Sequence, residues 1–464
     1  MARPVTALDA VLDHLAEQEK THLKELQDLV RIPSVSADPS YAKDVRKAAE
    51  WLARRLRRAG LENVGLVETA GHPAVVADWL HAGDAPTVLV YGHYDVQPAQ
   101  KSDGWRFDPF EARIEDGRIL GRGTTDDKGQ SLCHVYAAEA WIKNGGPPVN
   151  LKMVFEGEEE SGSVNFPEVL DKTGDRLRAD LLVVSDSMMR GEGRPAITYS
   201  LRGLTYLQVD VQGPRGDLHS GTWGGVVWNP IEALCHMLAS CKDPKTGKVR
   251  VKGFYDDVVR PSKTERATIK EHGEADEDLR RGAGVDALFG ESGWSAQERI
   301  GVRPTFEVNG IWGGYTGAGS KTVIPATAHA KVSCRLVADQ KPEVIAAAVE
   351  RHLLAMAPEG VRAAVRTLND GDAVRADPGH PLVKAVGKAL GDAFGQPAVP
   401  LPEGGSIPAV ADMQQRLGAI PVLAGFGNRD ENMHAPEESF RVDSFVRGRI
   451  ACARMLAEVA ATGR

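Results

Sequence analysis

Large apolar residues recur along this chain in two rhythms, and the switches between them outline its elements. Leu8, Val11, Leu12, Leu15, Leu23, Leu26 and Leu29 fall at three- and four-residue steps, which predicts an amphipathic helix over residues 7–30. A second helix is predicted from about Ala42 to Ala59, with Val45, Ala49, Leu52 and Leu56 on one side and Gly60 as its stop. Short continuous runs follow, Thr87 to Tyr91, Leu151 to Phe155 and Leu181 to Val184, and they read as strands covered on both faces. Each run ends in polar, chemically competent residues, as expected of an open α/β sheet that holds its ligands beyond the carboxyl ends of its strands. Near Tyr199 the texture changes to alternation (Leu204, Tyr206, Val209, Val211), which predicts a half-exposed antiparallel strand and a domain boundary. The charged stretch from about Lys242 to Glu298 reads as a peripheral helical insertion. The run Ala328 to Leu336 and a helix from about Pro342 to Ala355 complete a second, α+β domain. From about Ala376 the chain returns to a helix, a strand (Ile420 to Leu423) and a final helix from about Ser444 to Ala460. The expected organisation is therefore one α/β domain made of residues 1–198 and 375–464, interrupted by residues 199–374.

Composition narrows the classes. At about 150 residues per domain, 464 residues allow two to three domains, and 42% apolar with 26% charged residues is a folded, globular mixture. Lys plus Arg number 56 against 64 Asp plus Glu, so the net charge of -8 has the wrong sign for neutralising phosphates, and no nucleic-acid partner is expected. Five cysteines never spaced C-x-x-C suggest buried thiols in a reducing compartment. Asp9 and Asp13 interrupt the first apolar stripe, unlike a secretory leader, and no apolar run approaches the roughly 18 residues that span a bilayer. A cytoplasmic location, away from membranes, is expected.

Several motifs fail on spacing. Gly314 to Thr322 is one residue out of register for a phosphate-binding loop, Pro408 stands where a nucleophile elbow needs Gly, and there is no H-E-x-x-H. What remains is a set of carboxylates and histidines at strand ends: Gly92-His93-Tyr94-Asp95, Gly123-Thr124-Thr125-Asp126-Asp127-Lys128-Gly129, Glu158-Glu159-Glu160-Ser161-Gly162-Ser163, Ser185-Asp186-Ser187 and Asn432-Met433-His434-Ala435-Pro436. Any one of them alone reads as a cap or a hydrogen-bonded turn. Together they are different, because three consecutive Glu beside an apolar strand repel one another and an uncompensated carboxylate cluster in a crevice calls for cations. Two imidazoles with several carboxylates suit a borderline divalent metal such as zinc, with manganese or cobalt as alternatives. The donors suffice for two metals with one carboxylate shared. One remaining Glu can then act as general base toward a water, and Asp95 can orient His93.

The ordered segments GHYDVQP, GRGTTDDKG, EGEEESGS, SD, DLHSG, KTVIP, EGGSIP and HAPEE resemble the co-catalytic metallopeptidase family of carnosine-type dipeptidases, acetylornithine deacetylase, succinyl-diaminopimelate desuccinylase and aminoacylase. The resemblance implies a mixed-sheet α/β catalytic domain with an inserted α+β lid and dimerisation domain. It makes His93 and Asp186 ligands of one metal and Glu160 and His434 ligands of the other, with Asp126 bridging, Glu159 as general base and Asp95 as the partner of His93. The register within the Glu158-Glu159-Glu160 run is anchored on Ser161-Gly162-Ser163, and Asp126-Asp127 is the peptide that is typically cis in the family. His219 matches a lid residue that reaches the partner's active site in dimeric relatives. Arg335, Thr322, Gly405 and Ser406 match positions that hold the substrate carboxylate or carbonyl oxygen. Asp at 186, with DVQP, DDKG and EGGSIP, is similar to the dipeptidase branch. A homodimeric metallo-dipeptidase or short-peptide carboxypeptidase with two divalent metals per subunit is expected, with an N-acyl-amino-acid deacylase as the alternative. A catalytically silent binding protein on this fold would have lost a ligand or the base, and neither is missing.

Overall fold

The computed structural model describes residues 6–463, and the chain divides into two compact units. The first contains the described residues through Tyr199, then Ala376–Pro400, and the described residues from Ile407 onward; the second contains Ser200–Arg375 and Leu401–Ser406. Residues 1–5 and 464, at the outer ends of the expected α/β domain, lie outside the described residues.

A mixed sheet organises the first unit. Strands Glu62–Val67, Ala74–Trp79, Asn150–Glu156, Thr87–His93, Leu181–Val184, Ile420–Leu423 and Ala196–Leu201 lie side by side in that order. The four from Asn150–Glu156 to Ile420–Leu423 are mutually parallel, and the pairings outside them are antiparallel. The parallel strands are the apolar runs of the sequence, and Val88, Val90, Leu151, Met153, Leu181 and Val183 are all within 1% of complete burial. Helix Lys128–Lys143 is buried on every side from Lys128 to Trp141, which explains why it shows no amphipathic stripe. It packs against the final helix Val442–Ala460 and the helix Ala42–Ala59, which ends at Gly60 in the left-handed conformation (φ 93°).

Two expectations shift. The single helix over 7–30 is two, Ala7–Glu17 and Glu19–Val30, which meet at Gln18. No large apolar residue stands between Leu15 and Leu23, so there is little burial to hold one straight rod through that stretch. The second shift concerns the alternating strand, Gly203–Gln212 in the second unit. There Thr205, Leu207, Val209 and Val211 are buried, while Leu204 and Tyr206 point to the other, half-exposed face.

That strand lies inside a four-stranded antiparallel sheet ordered Thr305–Gly313, Thr327–Leu336, Gly203–Gln212, Arg362–Gly371. Helices Pro230–Ser240 and Pro342–Met356 pack on it, and Leu207, Val209, Met237, Val332 and Val349 form the core of this unit. The charged insertion folds into three short helices, Lys263–His272, Asp276–Ala283 and Ala296–Val302.

Candidate metal centre

Three adjacent parallel strands, Asn150–Glu156, Thr87–His93 and Leu181–Val184, deliver chemistry at their carboxyl ends. His93 is the last residue of its strand and fully buried; Glu159 and Glu160 lie on the turn after a second strand; Asp186 follows the third. Asp126 comes from the loop ahead of helix Lys128–Lys143, and its peptide to Asp127 is cis. His434 arrives from the segment before the last helix, with φ 60°.

The structure gathers these side chains into two groups that share Asp126. His93, Asp126 and Asp186 form one, and Asp126, Glu160 and His434 the other, with the offered donor atoms of each group within 4.8 Å of one another. Each oxygen of Asp126 faces a different imidazole: Oδ1 lies 2.9 Å from His93 Nε2, and Oδ2 lies 2.7 Å from His434 Nε2. His434 Nε2 is also 3.2 Å from Glu160 Oε2, and His93 Nε2 is 3.9 Å from Asp186 Oδ2. Burial and the neighbouring Asp126 carboxylate push the Asp186 carboxyl well above its usual range. The bonds to Asp126 and Glu160 push His434 up to about 10. Glu160 Oε1 is buried without a hydrogen-bond partner among the described residues. A divalent cation in each group would relieve this crowding of carboxylates and satisfy that oxygen, so the residues fit a pair of cations bridged by Asp126.

Glu159 stands beside this set, and its carboxylate makes no hydrogen bond among the described residues. Burial, followed by the charges of Glu160 and Asp126, pushes it up to about 7. Asp95 has more than one task. Its Oδ1 is 3.4 Å from His93 Nδ1, and its two oxygens accept the backbone N–H groups of Glu159 (3.3 Å) and Glu160 (3.1 Å). One buried carboxylate thus ties the His93 strand to the glutamate turn.

Sequence reasoning missed the groups that hold the loops. Glu438 is fully buried, and its Oε1 accepts from the N–H groups of Gly123 (3.0 Å), Thr125 (3.1 Å) and Asp126 (3.3 Å), while Oε2 receives Arg122 Nη1 at 2.7 Å. Glu431, also buried, accepts from Thr125 Oγ1 (3.1 Å) and from the N–H groups of Asn428 and Arg441. These two carboxylates flank His434 in sequence and clamp its segment to the loop of Asp126. Glu156 receives Tyr91 Oη at 2.5 Å and Ser163 Oγ at 2.9 Å beneath the glutamate turn, and Gln97 Nε2 donates to Glu160 Oε2 at 2.8 Å. The only signal for Glu438 in the sequence was its place in HAPEE, which carries no hint of its partners.

The remaining candidates lie in the second unit. Arg335 Nη1 donates to Ser406 Oγ at 2.8 Å, and Ser406 Oγ donates to the Arg202 carbonyl at 2.6 Å. The Gly405 carbonyl accepts from Arg202 N–H. His219 is exposed, pairs with Val323 next to Thr322, and accepts the Gly221 N–H at Nδ1 (3.0 Å). The structure therefore brings Arg335 to Ser406, and His219 to Val323, the residue after Thr322.

Fold and donor set together define the class, a metal-dependent hydrolase. Residues 89–458 match the family described as Peptidase family M20/M25/M40, and the chain belongs to that family. It is 32% identical over 463 residues to the Cys-Gly metallodipeptidase DUG1 of Candida albicans, which covers 95% of each chain. Among solved structures it resembles the metallo-carboxypeptidase Sso-CP2 of Sulfolobus solfataricus, with TM-score 0.83, 30% identity and coverage of 95% of this chain and 99% of the other. It also resembles human carnosine dipeptidase 1, with TM-score 0.77, 29% identity and coverage of 99% and 100%.

Proposed function

We propose that this chain hydrolyses the amide bond of dipeptides and short peptides with a free terminal carboxylate, using a pair of divalent cations, zinc by preference and manganese or cobalt as alternatives. The observation that carries the reading is Asp126 shared between two imidazole-containing groups, with the unpartnered Glu159 beside them. The dipeptidase names of its relatives favour peptides over N-acyl amino acids as substrates.

In this reading His93 and Asp186 would hold one cation and Glu160 and His434 the other, with Asp126 between them. Bound there, the cations would supply Lewis acidity that polarises a substrate carbonyl and acidifies a water. Glu159 takes the proton from the attacking water and returns it to the leaving amine; a carboxyl group pushed up to about 7 suits both halves of that task. Asp95 keeps the His93 ring and the glutamate turn in register. Arg335 and Ser406, with Gly405 and Thr322, hold the substrate carboxylate and carbonyl, and His219 donates to the oxygen on which charge develops, reaching the site from a second copy of the chain. Homodimerisation is supported by the edge strand Thr305–Gly313, which exposes Val308, Ile311 and Trp312 by 45–49%. Five free thiols favour the reducing cytoplasm, and no helix among the described residues is long and apolar enough to cross a membrane.

The test is a panel of dipeptides and N-acyl amino acids incubated with protein reconstituted with zinc, manganese or cobalt. Dipeptide turnover that disappears on chelation and returns with metal is expected. Turnover of N-acyl amino acids alone would overturn the reading.

A further inference from the structure

The charged insertion in the second unit contains a cavity of about 330 Å³ built around two aromatic rings. Arg303, only 7% exposed, places its guanidinium 5.1 Å from the centre of the Tyr255 ring and 4.6 Å from that of Trp294. Arg266 lies 4.4 Å from the Trp294 ring and Lys248 lies 5.5 Å from Tyr255. Arg260 completes the cationic lining.

Only part of this charge is answered within the chain. Arg303 grips Glu291 through Nε and Nη2 at 2.7 and 2.8 Å, and Arg266 grips Glu298 through Nε and Nη2 at 2.6 and 3.2 Å. The Nη1 groups of both arginines have no acceptor among the described residues, and Lys248 and Arg260 have no carboxylate partner there. Four cations thus face two carboxylates. Gathering like charges around a concave, partly desolvated wall raises the local positive potential, and the two-charge excess is what a dianion would neutralise. Two free guanidinium edges beside an ammonium suit tetrahedral oxygens, and the volume leaves room for a small organic group beyond them.

We infer that this cavity is a binding site for a small dianion of the phosphate class, separate from the proposed cation centre in the first unit.

Calorimetric titration of the metal-loaded full chain at constant ionic strength tests it, with inorganic phosphate and glycerol 3-phosphate as probes. The comparison protein carries Lys248→Ser and Arg260→Ser, both at exposed positions, and circular dichroism checks its fold. Any binding at the cation centre is common to the two proteins, so the difference between them isolates the cavity. The expected result is one binding event per chain that the double variant weakens at least tenfold and that Lys248→Arg with Arg260→Lys retains, with dipeptide turnover unchanged in both. Equal affinity for the two probes would assign the site to the free anion, and tighter binding of the ester to a phosphate monoester. Binding unaltered in the double variant, or absent at millimolar concentrations of both probes, would overturn the inference.

Discussion

Replacing Glu438 with Gln tests whether a buried carboxylate sets the geometry of the candidate metal centre. The amide keeps the shape of the side chain and one acceptor oxygen. It removes the charge and turns an N–H toward Arg122 Nη1, which now stands 2.7 Å from a carboxylate oxygen. Neither partner can escape to water, since their side chains are 4% and 0% exposed. Leaving a buried guanidinium without its counter-charge costs about 3–5 kcal/mol. The three backbone N–H groups on Oε1 lose a charged acceptor for a neutral one, at up to about 1 kcal/mol each. Since these costs overlap, the expected loss is about 3–5 kcal/mol, a large share of the stability of a typical domain. Burial pushes the Glu438 carboxyl up to about 7, so urea unfolding of the metal-free protein at about pH 8.5, where that carboxylate is charged, measures the loss without interference from bound cations. Adding Arg122→Met to the Glu438→Gln variant removes the stranded charge and should recover part of the loss. A loss below about 1 kcal/mol in the single variant would refute the argument, because a carboxylate with four donors could not then be dispensed with so cheaply.

Three further outcomes are expected. Burial pushes the Glu156 carboxyl up to about 8 from an ordinary 4.5, so the native state holds a proton that the unfolded chain has released. Stability should therefore fall as pH rises from about 4.5 to about 8 and level off above, and Glu156→Gln should flatten that part of the profile in urea titrations of the metal-free protein; an unchanged slope would contradict the assignment. Glu159→Ala should keep its metal content, by elemental analysis, yet lower dipeptide turnover by a factor on the order of 100 or more, whereas near-normal turnover would remove Glu159 from the proposed role of base. His219→Ala should lower turnover with both metals retained, and mixing it with Glu159→Ala should restore part of the activity; verified subunit exchange without recovery would show that His219 does not act across a dimer.

The parts of the fold that were legible in the sequence are those whose environment is one-sided or extreme. Thr87–His93, Asn150–Glu156 and Leu181–Val184 announce themselves because central parallel strands need apolar residues on both faces. Strands Glu62–Val67 and Arg362–Gly371 did not, since they lie at sheet edges and hold no buried residue, so no continuous apolar run marks them. The phase of Gly203–Gln212 was misread because Leu204 and Tyr206 are apolar enough to imitate the inward face, although Leu207, Val209 and Val211 occupy it. At the candidate centre, histidines and carboxylates at strand ends stand out by residue type alone. Glu156, Glu431 and Glu438 do not, because what distinguishes a buried acceptor from a surface carboxylate is the set of donors that only the folded chain assembles.

The clamp between the Asp126 loop and the His434 segment joins positions 312 residues apart, as counted from Asp126 to Glu438. Its consequence is one of timing. A chain made from its N-terminus has His93, Asp126 and Asp186 available well before the second unit is finished, whereas Glu431, His434 and Glu438 emerge only after that unit has been made. A growing or prematurely terminated chain can assemble at most one of the two donor groups, and the loop of Asp126 lacks its carboxylate anchor until the other segment arrives. The pairing of the two donor groups is thereby withheld from any chain that stops short of His434, so the proposed hydrolytic site cannot form before the second unit has been made.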